Sequence, residues 1–134
     1  MTPAQSPTTP WSGYSQAERD RRWAAVRQNA ARAGFDCTFV PLGNGPDAKY
    51  LTQFKTATVL LPTDGREPIV ITDEPTGNNW LAETRGCTRA WSQWTIDAIA
   101  DLGLERARIG VAGLKGGTVT HVRFPDGVVN HTTF

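Results

Sequence analysis

The residues that most often carry out catalysis are sparse in this sequence. Its two histidines, His121 and His131, lie close to the C-terminal end, and neither has a neighbour at a metal-ligand spacing. The sequence contains no HExxH and no GxSxG motif. Because a hydrolytic metal site needs several oxygen or nitrogen ligands held together, we predict no catalytic residue, no metal ligand and no cofactor in this chain.

A glycine-rich stretch, "GVAGLKGGT" at positions 110–118, is a further candidate for ligand chemistry. Such a loop can bind phosphate where a strand leads into the N-terminus of a helix. Here the spacing is not GxxxxGK[ST], and the following "VTHVRFPDG" is not typical of a helix. A structural turn is the favoured interpretation, and anion binding at 113–117 is the weaker alternative.

Length and composition limit the remaining functions. With 134 residues the chain has the size of one domain, and its formal charge of +1 predicts no nucleic-acid or membrane partner. Cys37 and Cys87 stand far apart, which is typical of reduced thiols. The opening "MTPAQSPTTP" is polar, and no apolar run approaches the roughly 18 residues that span a bilayer, so we expect a cytoplasmic protein.

The elements that must position any site begin with a long helix. The Pro-rich residues 1–14 predict a flexible tail, and residues 15–134 form the predicted domain. Ser15 and Glu18 have capping-box spacing, so a helix should start there and end before Gly34. One apolar stripe of this helix is expected in the core: Trp23, Val26, Ala30 and Ala33. Three arginines lie largely off that stripe and are expected to face solvent: Arg19, Arg22 and Arg27.

The rest of the chain alternates β-rich runs with shorter helical patterns. "FDCTFVPL" predicts a strand, and "ATVLLP" and "PIVIT" predict a hairpin with Asp64-Gly65 in its turn. We interpret "GNNWLAETRG" as a short helix or a helical turn, "TRAWSQW" as an edge strand and "ARIGVAGL" as a buried strand. "TIDAIADLGL" predicts a helix with Ile96, Ile99 and Ala100 on one face. This order predicts an α/β domain whose mixed β-sheet is flanked by helices.

Aromatic residues are candidates for the core and for contact surfaces. Trp23 and Trp80 suit core positions. Trp91 and Trp94 belong either to the core or to an exposed groove or subunit contact, since indoles are enriched at interfaces.

The order of five segments carries more information than any one of them. They are "YSQAERDRRWAAVRQNAARAGFD", "DAKYLTQF", "VLLPTDGREPIVIT", Trp80 and "DLGLERARIGVAGL". In this order they resemble the N-terminal domain of the creatinase/prolidase/aminopeptidase P family, over about residues 14 to 134. The resemblance implies a ribonuclease H-like α/β motif.

The resemblance also implies that catalysis belongs to a second domain. In that family a C-terminal domain holds the active site, which in the peptidases binds divalent manganese, cobalt or zinc and often cleaves before proline. Creatinase shares the architecture and hydrolyses its substrate without metal. We therefore expect a non-catalytic domain that serves dimerisation and shapes a substrate-pocket rim, in a homodimer whose catalytic domain follows this sequence. The parent would be an Xaa-Pro peptidase or a relative acting on small C–N substrates.

Within "DAKYLTQF" the resemblance places Lys49, Tyr50 and Thr52 at the pocket rim, with Trp80 as a further candidate and Phe54 in the core. The segment is expected where a loop enters a strand. Alternatively, Tyr50 and Thr52 only satisfy hydrogen bonds of that loop. For the whole chain, the alternative is a stand-alone binding or dimerisation module without enzymatic activity.

Overall fold

The computed structural model of the chain describes residues 13–42, 45–74, 78–81, 83–86 and 89–112. In chain order these residues form α1 (Gln16–Ala33), β1 (Cys37–Val40), α2 (Gly45–Thr52), β2 (Thr58–Pro62), β3 (Ile69–Thr72), β4 (Arg85–Gly86), α3 (Trp91–Asp101) and β5 (Ile109–Val111). Several sequence predictions lie outside the described residues: those for Cys87, His121, His131, the loop at 113–117 and most of the tail at 1–14.

The strands form a mixed sheet in the order β4-β3-β2-β1-β5. β2 pairs antiparallel with both β1 and β3, while β5 runs parallel to β1 and β4 runs parallel to β3. The hairpin of β2 and β3 is the one predicted around Asp64-Gly65, and Gly65 has the positive φ of 98° that such a turn requires. The predicted α/β class with a mixed sheet is confirmed.

Helices cover both faces of this sheet. The larger core cluster joins α1 and α2 to one face through Trp23, Leu51, Val59 and Leu61. The second cluster joins α3 to the opposite face and includes Leu60. β2 is buried along its whole length because successive side chains enter the two clusters alternately.

The first helix follows its sequence signals. The Ser15 hydroxyl accepts a hydrogen bond from the Glu18 backbone N–H at 3.1 Å, and Gly34 ends the helix in the left-handed conformation with φ of 80°. Trp23 and Ala30 are buried, but Ala33 is exposed in the last turn, so the apolar stripe ends earlier than predicted.

The segment "DAKYLTQF" differs from its prediction. Residues 45–52 form α2, so this segment is a helix and not the start of a strand. Pro46 stands in the first turn, where its missing N–H is no loss, and Asp47 adds a favourable negative charge there.

Three predictions near the end of the chain are also wrong. Asn78 and Leu81 form an isolated antiparallel bridge rather than a helix. "AWSQW" starts α3 instead of forming an edge strand; the edge strand beside β3 is β4. α3 buries Thr95 and Ala98; of the expected face only Ile99 packs against the second core cluster, whereas Ile96 is 57% exposed and Ala100 is also exposed.

The strand β5 was expected to be buried, but it is half-buried at the sheet edge because only β1 pairs with it among the described strands. Its glycine has a local reason: a Cβ on Gly110 would lie 2.6 Å from the Phe35 ring.

None of the helices in the described residues is both long enough and apolar enough to cross a membrane.

Candidate functional site

An open cavity of about 650 Å³ lies between α1, α2 and the residues that follow β3. We call it the α1/α2 pocket. Its lining combines aromatic, basic and amide side chains with one carboxylate: Gly13, Tyr14, Arg22, Pro46, Lys49, Tyr50, Gln53, Lys55 and Glu74.

Arg22 is the centre of the pocket wall. Its side chain is only 11% exposed, and its Nη1 donates a hydrogen bond to the Tyr50 carbonyl at 2.9 Å. The guanidinium carbon lies 4.4 Å from the centre of the Tyr14 ring, 4.7 Å from that of Tyr50 and 5.2 Å from that of Trp80. These distances suit cation–π attraction. Arg22 thus holds both tyrosines in place while their outer faces stay open to the cavity.

Glu18 fixes the orientation of Arg22. Its carboxylate accepts hydrogen bonds from Arg22 Nε at 2.8 Å and from Arg21 Nε, also at 2.8 Å. The hydrogen bonds from Arg21 and Arg22 lower the pKa of Glu18 from 4.5 to about 2, and the same contact raises the pKa of Arg21. Glu18 therefore stays ionised across the physiological range.

The residues before α1 are tied to the pocket by side-chain amides. Gln53 Oε1 accepts from the Tyr14 backbone N–H at 2.8 Å, and Gln53 Nε2 donates to Asn79 Oδ1 at 3.1 Å. Asn79 Nδ2 then donates to the Tyr14 carbonyl at 2.8 Å. Gln53 itself has a positive φ of 66°, which turns the chain sharply after α2. This network places Tyr14 at the pocket mouth.

Two of the four candidate rim residues line the pocket. Lys49 and Tyr50 both face it from α2. Thr52 is buried; its hydroxyl donates to the Ala48 carbonyl at 2.7 Å and accepts from the Phe54 N–H at 3.0 Å, while Phe54 lies in the core as expected.

Trp80 is buried one layer below the pocket. Its Nε1 donates to the carbonyls of Tyr14 and Ser15, each at 2.9 Å. Thr52 and Trp80 therefore support the pocket wall from behind, and neither presents a polar group to the cavity.

The three arginines of α1 that were expected to face solvent bind backbone carbonyls instead. Arg19 donates to the Trp80 carbonyl, Arg22 to the Tyr50 carbonyl and Arg27 to the Pro62 carbonyl. Burial lowers the pKa of Arg27. The apolar stripe of α1 could not predict these hydrogen bonds, because long side chains reach sideways from a surface position to distant carbonyls.

Sequence reasoning also missed Tyr14 and Arg22 as site residues. Tyr14 lay within the predicted tail. One signal was available: "YSQAERDRR" places an aromatic residue directly before the helix cap and arginines in the following two turns.

The α1/α2 pocket offers charged and aromatic side chains. Among the described residues, no group of three or more His, Cys, Asp or Glu side chains could hold a metal ion. The residues present therefore do not fit the divalent metal of the peptidases. Charged and aromatic groups remain, which suits recognition of a ligand.

The chain is similar to solved structures of peptidases. A dipeptidase from Pyrococcus horikoshii OT3 is 16% identical with a TM-score of 0.54, over 75% of this chain and 30% of the dipeptidase. The N-terminal domain of the cytoplasmic peptidase PepQ from Mycobacterium tuberculosis H37Rv is 15% identical with a TM-score of 0.48, over 68% of this chain and 90% of that domain. No family model matches the chain. No curated protein matches it in sequence.

The likeness to the dipeptidase shows that the chain has the fold expected of a creatinase/prolidase N-terminal domain. The chain spans about 30% of the length of that dipeptidase. At this level of identity, the likeness concerns the fold alone.

Proposed function

We propose that this chain is the non-catalytic N-terminal domain of a creatinase/Xaa-Pro peptidase-like hydrolase. In this proposal the α1/α2 pocket forms part of the rim of a substrate pocket that a catalytic domain completes. The parent enzyme would be a metal-dependent Xaa-Pro dipeptidase or aminopeptidase, or a relative acting on small C–N substrates. Any manganese, cobalt or zinc would be held by that catalytic domain.

One observation carries this proposal: the α1/α2 pocket is equipped for recognition and not for turnover. Lys49 and Tyr50 face an open cavity beside the shielded Arg22. Within the part of the chain that the structure describes, no cluster of metal-ligating side chains accompanies them. A recognition surface without a reactive group is what a rim needs, because the reacting atoms belong to another domain.

A second surface supports association with another chain or domain. A groove of about 440 Å³ runs between α3 and β5 and is lined mainly by apolar side chains, among them Phe39, Ile96, Ile99 and Val111. Ile96, one of the lining residues, is 57% exposed. Such a surface is costly to leave in water. We assign this groove to homodimerisation. Of the two tryptophans expected either in the core or at such a contact, Trp91 packs against the second core cluster, and Trp94 is exposed but does not line the groove.

The complete reading frame tests the proposed function. We expect the gene to continue in frame beyond Phe134 into a domain that carries metal ligands, or into a creatinase-like catalytic domain. A stop codon directly after Phe134 would contradict the proposal. It would favour the alternative, a stand-alone binding module that uses the same pocket.

A further inference from the structure

The tip of the β2–β3 hairpin carries a pair of residues that can rearrange chemically. Asp64 and Gly65 are both exposed in this turn. Apart from the chain neighbours of Gly65, no heavy atom of the described residues lies within 4 Å of where a Cβ on this glycine would stand. Because glycine has no side chain, its backbone nitrogen can approach the side chain of a preceding aspartate. The Asp64-Gly65 bond is therefore open to attack of that nitrogen on the Asp64 carboxyl carbon.

The covalent rearrangement at this pair needs no reactant besides water. The Gly65 nitrogen bonds to Asp64 Cγ, and the carboxyl hydroxyl leaves with the amide proton as a water molecule, which gives a cyclic succinimide. A water molecule then breaks the bond between that nitrogen and the main-chain carbonyl carbon of Asp64. The product is isoaspartate, whose mass equals that of aspartate. Its peptide bond runs through the side chain, which lengthens the backbone of the turn by a methylene group.

Arg66 binds the carboxylate that would have to react. Asp64 Oδ1 accepts hydrogen bonds from the Arg66 backbone N–H and from Arg66 Nε, each at 3.1 Å, and Oδ2 accepts from Nε at 2.9 Å. The hydrogen bond from the Arg66 backbone lowers the pKa of Asp64, and the guanidinium adds to this effect. The carboxyl group therefore stays ionised, and an ionised carboxylate has no hydroxyl to lose as water. We call this set of hydrogen bonds the Arg66 clamp.

Arg66 is itself anchored to both neighbouring helices. Its Nη1 donates to the carbonyl of Leu102, the residue that caps the C-terminal end of α3, at 2.8 Å. Its own carbonyl accepts a hydrogen bond from Arg27 Nη2 of α1. These contacts restrain the guanidinium although 46% of the Arg66 side chain is exposed. The carboxylate of Asp64 is therefore released only when the tip of the hairpin moves away from these partners.

We propose that the Asp64-Gly65 bond is a latent site of isoaspartate formation and that Arg66 protects it by holding the Asp64 carboxylate in place. Arg66 acts here as a positioning residue. The rearrangement proceeds only while the Arg66 clamp is open, so its rate reports how often this part of the fold opens locally. The inference does not rest on the proposed function, because none of these residues lines the α1/α2 pocket.

Incubation of the purified 134-residue chain in neutral buffer, with and without urea, tests whether the fold protects this bond. The isoaspartate content at position 64 is measured over time by peptide mapping with electron-transfer fragmentation, which distinguishes isoaspartate from aspartate. We expect isoaspartate to form about fivefold more slowly, or slower still, in the folded chain than in the unfolded chain, where the Arg66 clamp cannot form. Equal rates in the two conditions would overturn the proposal.

Substitution of Arg66 separates its role from the general rigidity of the turn. Arg66→Ala removes the Nε donor and the link to Leu102, and isoaspartate should form about fivefold faster in this variant than in the unchanged chain. Arg21→Ala is the matched control, because Arg21 is also exposed but pairs with Glu18, and the rate should not change. An unchanged rate in Arg66→Ala, or the same acceleration in Arg21→Ala, would refute the protective role of Arg66.

A second variant keeps the test decisive if Arg66→Ala fails to fold. Arg66→Lys retains the positive charge but lacks the Nε–H that donates to both carboxylate oxygens, so isoaspartate should still form faster than in the unchanged chain. Far-ultraviolet circular dichroism before each incubation verifies that the compared proteins are equally folded. A rate in Arg66→Lys equal to that of the unchanged chain would mean that charge alone protects the bond, and it would overturn the role given to the Arg66 clamp.

Discussion

A substitution of Arg22 tests directly how much this residue stabilises the pocket wall. We predict that Arg22→Met destabilises the chain by about 2–3 kcal/mol, because the side chain is shielded and has several partners. It loses a charge-assisted hydrogen bond to the Tyr50 carbonyl, worth roughly 1.5–3 kcal/mol in such contacts. It also loses cation–π contacts with three rings, although methionine keeps part of the packing.

Arg21 provides a matched control in the neighbouring position. It pairs with the same Glu18, but its side chain is 63% exposed against 11% for Arg22. Exposed ion pairs contribute little to stability. Arg21→Met should therefore leave the midpoint of urea unfolding unchanged.

Urea unfolding, followed by far-ultraviolet circular dichroism, measures both variants. With an m-value of about 1–3 kcal/mol/M, the loss in Arg22→Met corresponds to a midpoint lower by about 0.7–3 M. If both variants lower the midpoint equally, the pair with Glu18 is what matters, and the role given to the aromatic contacts of Arg22 is refuted.

Three further predictions concern other parts of the fold. Thr52→Val should lower the free energy of unfolding in urea by about 1–3 kcal/mol, because the Phe54 N–H loses its buried acceptor. Thr56→Val, at an exposed position, should lower it little. Equal losses in the two variants would contradict this prediction. Burial raises the pKa of Cys37 from 9.0 to about 11, so the neutral thiol stabilises the fold below about pH 9 and this contribution is lost as the pH rises to about 11. The free energy of unfolding should fall less steeply with pH across that range in Cys37→Ala than in the unchanged chain. Equal slopes in the two proteins would refute the raised pKa of Cys37. Ile96→Lys should reduce self-association in sedimentation velocity without lowering the melting temperature, whereas undiminished association would exclude the α3/β5 groove as the contact.

The sequence predicted the elements whose signals are local. Ser15 and Gly34 mark the two ends of α1, and the β-branched runs around Asp64-Gly65 predict the hairpin of β2 and β3. In both cases the backbone conformation depends on a few adjacent residues. The alternation of helical and β-rich runs then predicted the α/β class with a mixed sheet.

The sequence predictions of secondary structure were wrong where local signals are weak or where tertiary contacts determine the conformation. α3 begins after Ala90, which has a positive φ of 56° and makes no side-chain cap, so nothing in "TRAWSQW" announces a helix. α2 was overlooked although Pro46 and Asp47 suit a first helical turn, because only eight residues follow the helical pattern.

The candidate site was only partly predictable for a similar reason. Lys49 and Tyr50 came from a resemblance between short segments, which also selected the buried Thr52 and Trp80. Burial depends on what packs above a residue, and for Trp80 that is Tyr14 and Ser15, more than sixty positions earlier in the chain. Arg22 could not be assigned because its partners come from three separate segments.

The most direct test is whether this domain turns over a substrate without its proposed catalytic partner. The purified chain should be incubated with an Xaa-Pro dipeptide and manganese, cobalt or zinc, and the release of proline measured against the metal alone. We expect no release above that blank, because binding groups are present and a water-activating cluster is not found among the described residues. Metal-dependent release that scales with the amount of protein and co-elutes with it would contradict a purely recognising role.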